Sequence, residues 1–199
     1  MNNRYNFFAK ARLDLCCSND DFRPVLGNIL FEDGKAIVTN GRVLIVTDIS
    51  EISNLQKDDI DKLNGHLVNS KMYREILRYG NINITDDGIE CVKYIGTLNE
   101  MHVLYKFGNK EDKGIFPKYK NIYKQKPLNK LSKNEFKTSF LCESINIILS
   151  IFNANHVDFK FSSESNSVMF MFDGLPNTYG MIMQSESECD FNKIKDYGK

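Results

Sequence analysis

Adjacent acidic side chains are the first place to look for chemistry, because two carboxylates can share a proton or hold a divalent cation. This chain carries such pairs at Asp20-Asp21, Asp58-Asp59 and Asp86-Asp87. Each pair falls in a stretch that reads as a turn or loop, where solvation alone accounts for it. The histidines His66, His102 and His156 are far apart, and none has metal-ligand spacing to a cysteine or another histidine. The 5 cysteines, Cys16, Cys17, Cys91, Cys142 and Cys189, are odd in number and form no C-x-x-C. They read as reduced thiols used as small apolar residues. No G-x-S-x-G, phosphate-binding glycine loop, G-x-G-x-x-G or H-E-x-x-H occurs. The chain therefore reads as a non-enzyme with no catalytic residue, no metal and no cofactor. An enzyme on an unfamiliar scaffold would have to work through one of the carboxylate pairs.

Cations offer a different chemistry. Lys71, Arg74 and Arg78 stand at i, i+3 and i+7 of a helical stretch and share one face. A lysine-rich run from Lys106 to Lys137 is interleaved with Tyr105, Phe107, Phe116, Tyr119 and Tyr123. Charge with aromatic stacking can hold a nucleic-acid strand. A solvated helix face and a solvated linker over buried aromatics explain the same patterns. Formal net charge is +0, so any attraction to nucleic acid or membrane must be local. Hydrophobic content of 42% and charged content of 26% suit an ordinary globular domain. At 199 residues there is room for one or two domains with a real core. No apolar run is long enough for a membrane span, and Met1 to Asn6 lacks the apolar stretch of a signal peptide, which places the protein in the cytoplasm.

The elements that must position these residues are short. Residues 22–48 read as three apolar strands cut by Asp33-Gly34 and Asn40-Gly41, pairs that reach positive φ cheaply. A helix is predicted over Phe7 to Cys17, and a helical turn around Asp58 to Leu63. Leu67-Val68 is a brief extended entry. Ser70 is the predicted N-cap of a helix over Lys71 to Tyr79, with Met72, Ile76 and Tyr79 inward. Three strands follow, near 81–85, 89–94 and 101–107. A third helix is predicted over Leu141 to Asn153, with Leu141, Ile145, Ile148, Leu149 and Phe152 as its apolar stripe. Its strands are 156–162, 167–173 and 178–185. Helix plus three antiparallel strands thus recurs three times.

Three segments carry a resemblance. Arg23-Pro24 precedes a strand, and Val38-Thr39-Asn40-Gly41-Arg42-Val43-Leu44 follows. The bacterial DNA polymerase sliding-clamp family runs Arg-Pro, a strand, a turn, then Ala-Thr-Asp-Gly-His-Arg-Leu in its middle domain. Gly114-Ile115-Phe116-Pro117-Lys118-Tyr119 is similar to the family's Gly-x-Phe-Pro-Asp-Tyr, with Lys118 in place of aspartate. Phe140-Leu141 opens the last helix, as Tyr-Leu does in the family. Gly180-Met181-Ile182-Met183-Gln184-Ser185 sits where the family ends in Ile-Met-Pro-Met-Arg-Leu, with Gln184-Ser185 replacing Pro-Met.

The resemblance implies an α+β, DNA clamp-like fold of repeated βαβββ half-domains. It divides the chain into a clamp-like domain, 1–125, and a half-domain, 126–199, whose segment 186–199 is a polar tail. It also implies a DNA replication accessory, a processivity or tethering factor that binds DNA non-specifically and partner peptides in an apolar cleft. The cleft positions are Thr39, Gly41, Arg42, Val43, Leu44, Pro117, Ile122 and Met183. Val43, Leu44 and Ile122 would equally serve as plain core residues. The DNA-contacting positions are Lys10, Arg12, Lys71, Arg74 and Arg78. The third helix does not fit that role, since Glu143, Ser144, Asn146 and Ser150 are neutral to acidic. A chain with three half-domains, against twelve in a family ring, would need about four copies to close one. The alternative is a reduced clamp, a protein-binding module that never encircles DNA.

Overall fold

The computed structural model describes residues 5–95, 99–108, 116–122, 140–161, 167–183 and 185. The first meander forms as the sequence predicts, in strands β1 (Asn28–Glu32), β2 (Lys35–Thr39) and β3 (Val43–Asp48). Asp33 and Gly34, at φ 52° and 72°, make the first turn. In the second turn Gly41 has φ 88°, while the Asn40 carboxamide oxygen accepts from the Arg42 and Val43 N–H groups at 2.9 and 2.8 Å. Residues 24–27, expected as strand, form a 3₁₀ turn, with Pro24 at its first position, where its missing N–H costs nothing.

Two short helices, α1 (Ile49–Ile52) and α2 (Lys57–Leu63), lead to β4 (His66–Asn69) and helix α3 (Ser70–Ile76). The sequence places the α3 cap one residue late. Asn69 is the N-cap, its side chain accepting from Lys71 N–H, while Ile76 faces inward and Tyr79 packs against the core as expected. Met72 differs: it is 38% exposed, and its neighbour Tyr73 points into the core instead. The Tyr73 hydroxyl donates to the Ala11 carbonyl at 3.0 Å. Strands β5 (Ile82–Ile84), β6 (Gly88–Ile95) and β7 (Asn99–Lys106) form the second meander. Helix α4 (Tyr119–Ile122) precedes α5 (Cys142–Ile151), and β8 (Val157–Lys160), β9 (Ser167–Phe172) and β10 (Leu175–Met183) form the third.

The predicted helix over 7–17 is reduced to a 3₁₀ turn, Leu13–Cys16. Its backbone donors are taken by distant partners: Phe8 N–H by the Ile52 carbonyl, and Arg12 N–H by the Ile151 carbonyl. That second bond also anchors the end of α5 and turns Ile151 inward. The buried line of α5 is Ser144, Ile148 and Ile151, so Ser144 is not exposed, and Leu141 and Leu149, expected inside, stand 39% and 51% exposed. The turn packs against both α3 and α5.

Seven strands form one sheet in the order β4-β1-β2-β3-β10-β9-β8, and β5-β6-β7 form a second. The larger sheet joins strands from either side of residue 125. Its helix-facing side buries Val43, Ile45, Val168, Phe170 and Ile182 in the main core. The β3–β10 seam is possible because position 180 is glycine: a Cβ there would lie 2.6 Å from the Leu44 carbonyl oxygen and 2.2 Å from Phe170. The far end of the seam is fixed by Glu51. Its carboxylate accepts from Asn177 N–H at 2.8 Å and from the Thr178 hydroxyl, which contacts the Thr47 hydroxyl at 2.6 Å.

Two outcomes follow. Gly180→Ala should cost at least about 1–3 kcal/mol in urea unfolding, since a backbone carbonyl cannot step aside for the methyl group. The second concerns Cys16, which burial pushes up to about 12. Above pH 9 the unfolded thiol ionises while the folded one keeps its proton, so stability should fall as pH rises from about 9 to 12. Unfolding midpoints across that range check the sign, and Cys16→Ala should make the slope shallower, leaving the share of Cys17 and Cys91, which burial also raises.

Candidate functional site

The seam gathers what the sequence scatters. Leu44 lies opposite Met181, Val43 opposite Ile182, and the Arg42 carbonyl accepts from Met183 N–H at 2.8 Å. On the sheet face away from α3 and α5, Leu44 packs in a cluster with Leu30, Ile37, Val46, Leu67, Phe116 and Tyr119. Pro117, half-buried, sits between the last two. Lys120 then holds α4 to the β1–β2 turn through Asp33 at 2.6 Å. The bend, the Phe-Pro segment and the closing strand therefore meet.

The predicted cleft residues nonetheless divide by face. Val43, fully buried, points to the opposite side and belongs to the main core. Thr39 is a brace for the bend, its hydroxyl donating to the Val43 carbonyl at 2.7 Å and accepting from Gly41 N–H at 3.0 Å. Gly41 and Arg42 are exposed at the tip. The Ile122 side chain lies outside the described residues. Met183 is 52% exposed beside the cluster.

Cross-strand register extends this face into a continuous row. Met171, Tyr179, Val46, Ile37, Leu30 and Leu67 stand opposite one another in turn, from β9 across to β4. Phe116 and Tyr119 cover the Leu67 end. Met169, Met171, Tyr179, Met181 and Met183 form the other end, with Met171 46% exposed. Only Met183 was singled out from sequence. The alternation Met169-Phe170-Met171-Phe172 held the signal for the rest, because one set must face away from the phenylalanines. Methionine is flexible and polarizable, suited to a surface that adapts to an apolar partner. The Tyr119 hydroxyl is buried and without a hydrogen-bond partner among the described residues.

On the helix side a cleft of about 820 Å³ opens where the Leu13–Cys16 turn, α3, α5 and the bend converge. Its charged lining is Arg12, Arg23, Arg42, Lys71 and Arg74 against Asp14 and Glu143. Arg12 is committed: it grips the nearly buried Asp14 carboxylate with two bonds of 2.8 Å, which raises its pKa. Arg23 pairs with Asp20 at 3.0 Å. The Phe22 backbone N–H, then Arg23, hold the Asp20 carboxyl below its ordinary value. Arg42, Lys71 and Arg74 have no ion-pair partner among the described residues. Arg78 lies apart, paired with Glu75 at 2.9 Å, and Lys10 is exposed away from the cleft lining. The predicted set thus keeps Arg12, Lys71 and Arg74 in the cleft, and Arg23 and Arg42 join it. Among the described residues no cluster of histidine, cysteine and acidic side chains is arranged to hold a metal ion. No helix among the described residues is long and apolar enough to cross a membrane.

Solved structures supply the comparison for this arrangement. The chain superimposes on the DNA polymerase III β subunit of Borrelia burgdorferi, solved with a natural product, at TM-score 0.58 and 15% identity, over 94% of this chain and 66% of that one. It matches the sliding clamp of Bartonella birtlesii bound to griselimycin at TM-score 0.57 and 13% identity, over 93% and 67%. The β subunit of Thermotoga maritima gives 0.56 and 9%, over 98% and 67%. The fold is that of the bacterial sliding clamp. The chain spans about two thirds of the length of these clamps. No protein-family model matches the sequence, and no curated protein matches it. At such identities the likeness carries the clamp fold and leaves function to the residues.

The clamp-fold cleft separates structural from available cations. Arg12→Gln should lower the stability measured by urea unfolding by roughly 1 kcal/mol, because Asp14 loses its partner at a half-wet site. Lys71→Gln and Arg74→Gln should each stay within about 0.5 kcal/mol of the parent chain.

Proposed function

We propose that this chain is a non-enzymatic, clamp-type accessory of DNA replication that holds nucleic acid by its phosphates and partner proteins by short apolar peptides. Arg42 carries the reading. Its side chain lines the cationic cleft, and its backbone is bonded to Met183 on the methionine face. One residue therefore borders both surfaces. Arg42, Lys71 and Arg74 are free to neutralise phosphates without reading bases. Met181, Met183, Tyr179 and Leu44 offer an adaptable apolar floor, and the Tyr119 hydroxyl a polar group beside it. In this reading residues 1–125 are one clamp domain, 126–199 are a half-domain, and closing a ring takes about four chains.

Duplex DNA binding measured by anisotropy across a salt series tests the cationic half. The slope of log K against log salt should flatten by about 0.9 for each of Arg42→Gln, Lys71→Gln and Arg74→Gln. A slope unchanged in the triple variant would refute it. Retention on circular but not linearised DNA tests encirclement, since a ring slides off free ends.

The second reading, a protein-binding module that does not encircle DNA, is favoured by α5. Its exposed side chains Glu143, Asn146 and Ser150 bring no positive charge to the cleft. On this reading, short apolar peptides selected against the chain lose at least tenfold in affinity with Met183→Glu, while DNA binding is absent from the start.

A further inference from the structure

The chain holds 7 methionines, and Met169, Met171, Met181 and Met183 share one face of the larger sheet. Met181 stands opposite Met169 in the β9–β10 ladder, Tyr179 opposite Met171, and Met183 opposite Ser167. Their exposure is graded. Met181 is 5% exposed and Met169 is half-buried, whereas Met171 and Met183 are 46% and 52% exposed. Strand rise and spacing put the two exposed side chains about 14 Å apart, with the covered pair between them. A partner seated on Met181 is therefore flanked by an exposed thioether at each end. We propose that Met171 and Met183 are modification sites at which a peroxide turns this face from apolar to polar. The inference rests on the peptide-docking reading of the face and adds a means of regulating it.

A thioether needs no deprotonation to act as a nucleophile, so access decides which sulfur reacts first. Its lone pair attacks one oxygen of hydrogen peroxide. An S–O bond forms as the O–O bond breaks, and the second oxygen leaves as water, taking the proton of the first. The sulfur is oxidised by two electrons to the sulfoxide, and the peroxide is reduced by the same two. The product carries a hydrogen-bond acceptor on a side chain that was apolar. An apolar partner must strip that oxygen of water to dock, and the desolvation weakens binding. The buried thiols do not compete. Burial keeps Cys16 and Cys91 protonated, and a protonated thiol is slow to oxidise. The exposed Cys142 opens α5, on the other side of the sheet. Met72 on α3 and Met101 on β7, each 38% exposed, lie off the face and serve as internal controls.

The test treats the full chain with hydrogen peroxide and then with dithiothreitol, which reverses thiol oxidation and leaves sulfoxides in place. Peptide mapping by mass spectrometry follows the gain of one oxygen at each methionine. Met171 and Met183 should react before Met169 and Met181. A labelled apolar peptide selected against the untreated chain should lose about tenfold in affinity, and methionine sulfoxide reductase should restore it. The variant Met171→Leu/Met183→Leu, compared with its own untreated sample, should change by less than about twofold on the same treatment. The variant Met72→Leu/Met101→Leu should lose affinity as the parent chain does. Affinity unchanged once Met171 and Met183 carry oxygen, or an equal loss in the Met171→Leu/Met183→Leu variant, overturns the proposal. If no apolar peptide binds the untreated chain, the docking reading fails by itself. Binding of the apolar dye anilinonaphthalene sulfonate then reads the face directly. Dye binding that falls on oxidation in the parent chain and not in the Met171→Leu/Met183→Leu variant supports the modification, and dye binding that does not fall overturns it.

Discussion

Everything in this molecule depends on how closely two backbones approach at Gly180. The β3–β10 ladder joins the beginning and the end of the chain into one sheet, and it forms only where a side chain is missing. Without it, Leu44 and Met181 do not face each other, the Arg42 carbonyl has no Met183 N–H to receive, and the methionine face is separated from the bend. The ladder also determines which residues are core. Val43 and Leu44 are adjacent and equally apolar, yet the pleat sends one into the helix-side interior and the other to the outer face.

The meanders were legible from sequence because their signals are local. Asp33-Gly34 and Asn40-Gly41 specify turns through backbone conformation alone, and strand alternation then fixes the faces. The helices were less legible. Phe7 to Cys17 has a helical spacing of apolar residues, but its amides are claimed by carbonyls on Ile52 and Ile151, which no local pattern announces. The start of α3 was ambiguous by one residue because Asn69 and Ser70 are both good caps, and on its buried face Ile76 holds its expected place while Tyr73 replaces Met72.

The site was legible in part for the same reason. The resemblance of three segments implies that Leu44, Pro117 and Met183 share one region. It could not show that Arg12 is bound to Asp14, that Arg78 is bound to Glu75, or that Arg23 and Arg42 join Lys71 and Arg74. Ion pairing between side chains two or three residues apart depends on rotamers and local backbone, and a charge pattern along the sequence carries neither. The clamp fold itself is retained at 9–15% identity to the solved clamps, which fits a fold specified by turn chemistry and alternation more than by particular side chains.

The two ends of the ladder are closed by different chemistry, a main-chain bond from Met183 to Arg42 at one and the Glu51 carboxylate at the other. A strand pinned at both ends has nowhere to begin fraying. Detachment of β10 must break the interior bonds together with an end, so the closing strand comes away as a block or stays in place, and thermal motion cannot unzip it one residue at a time.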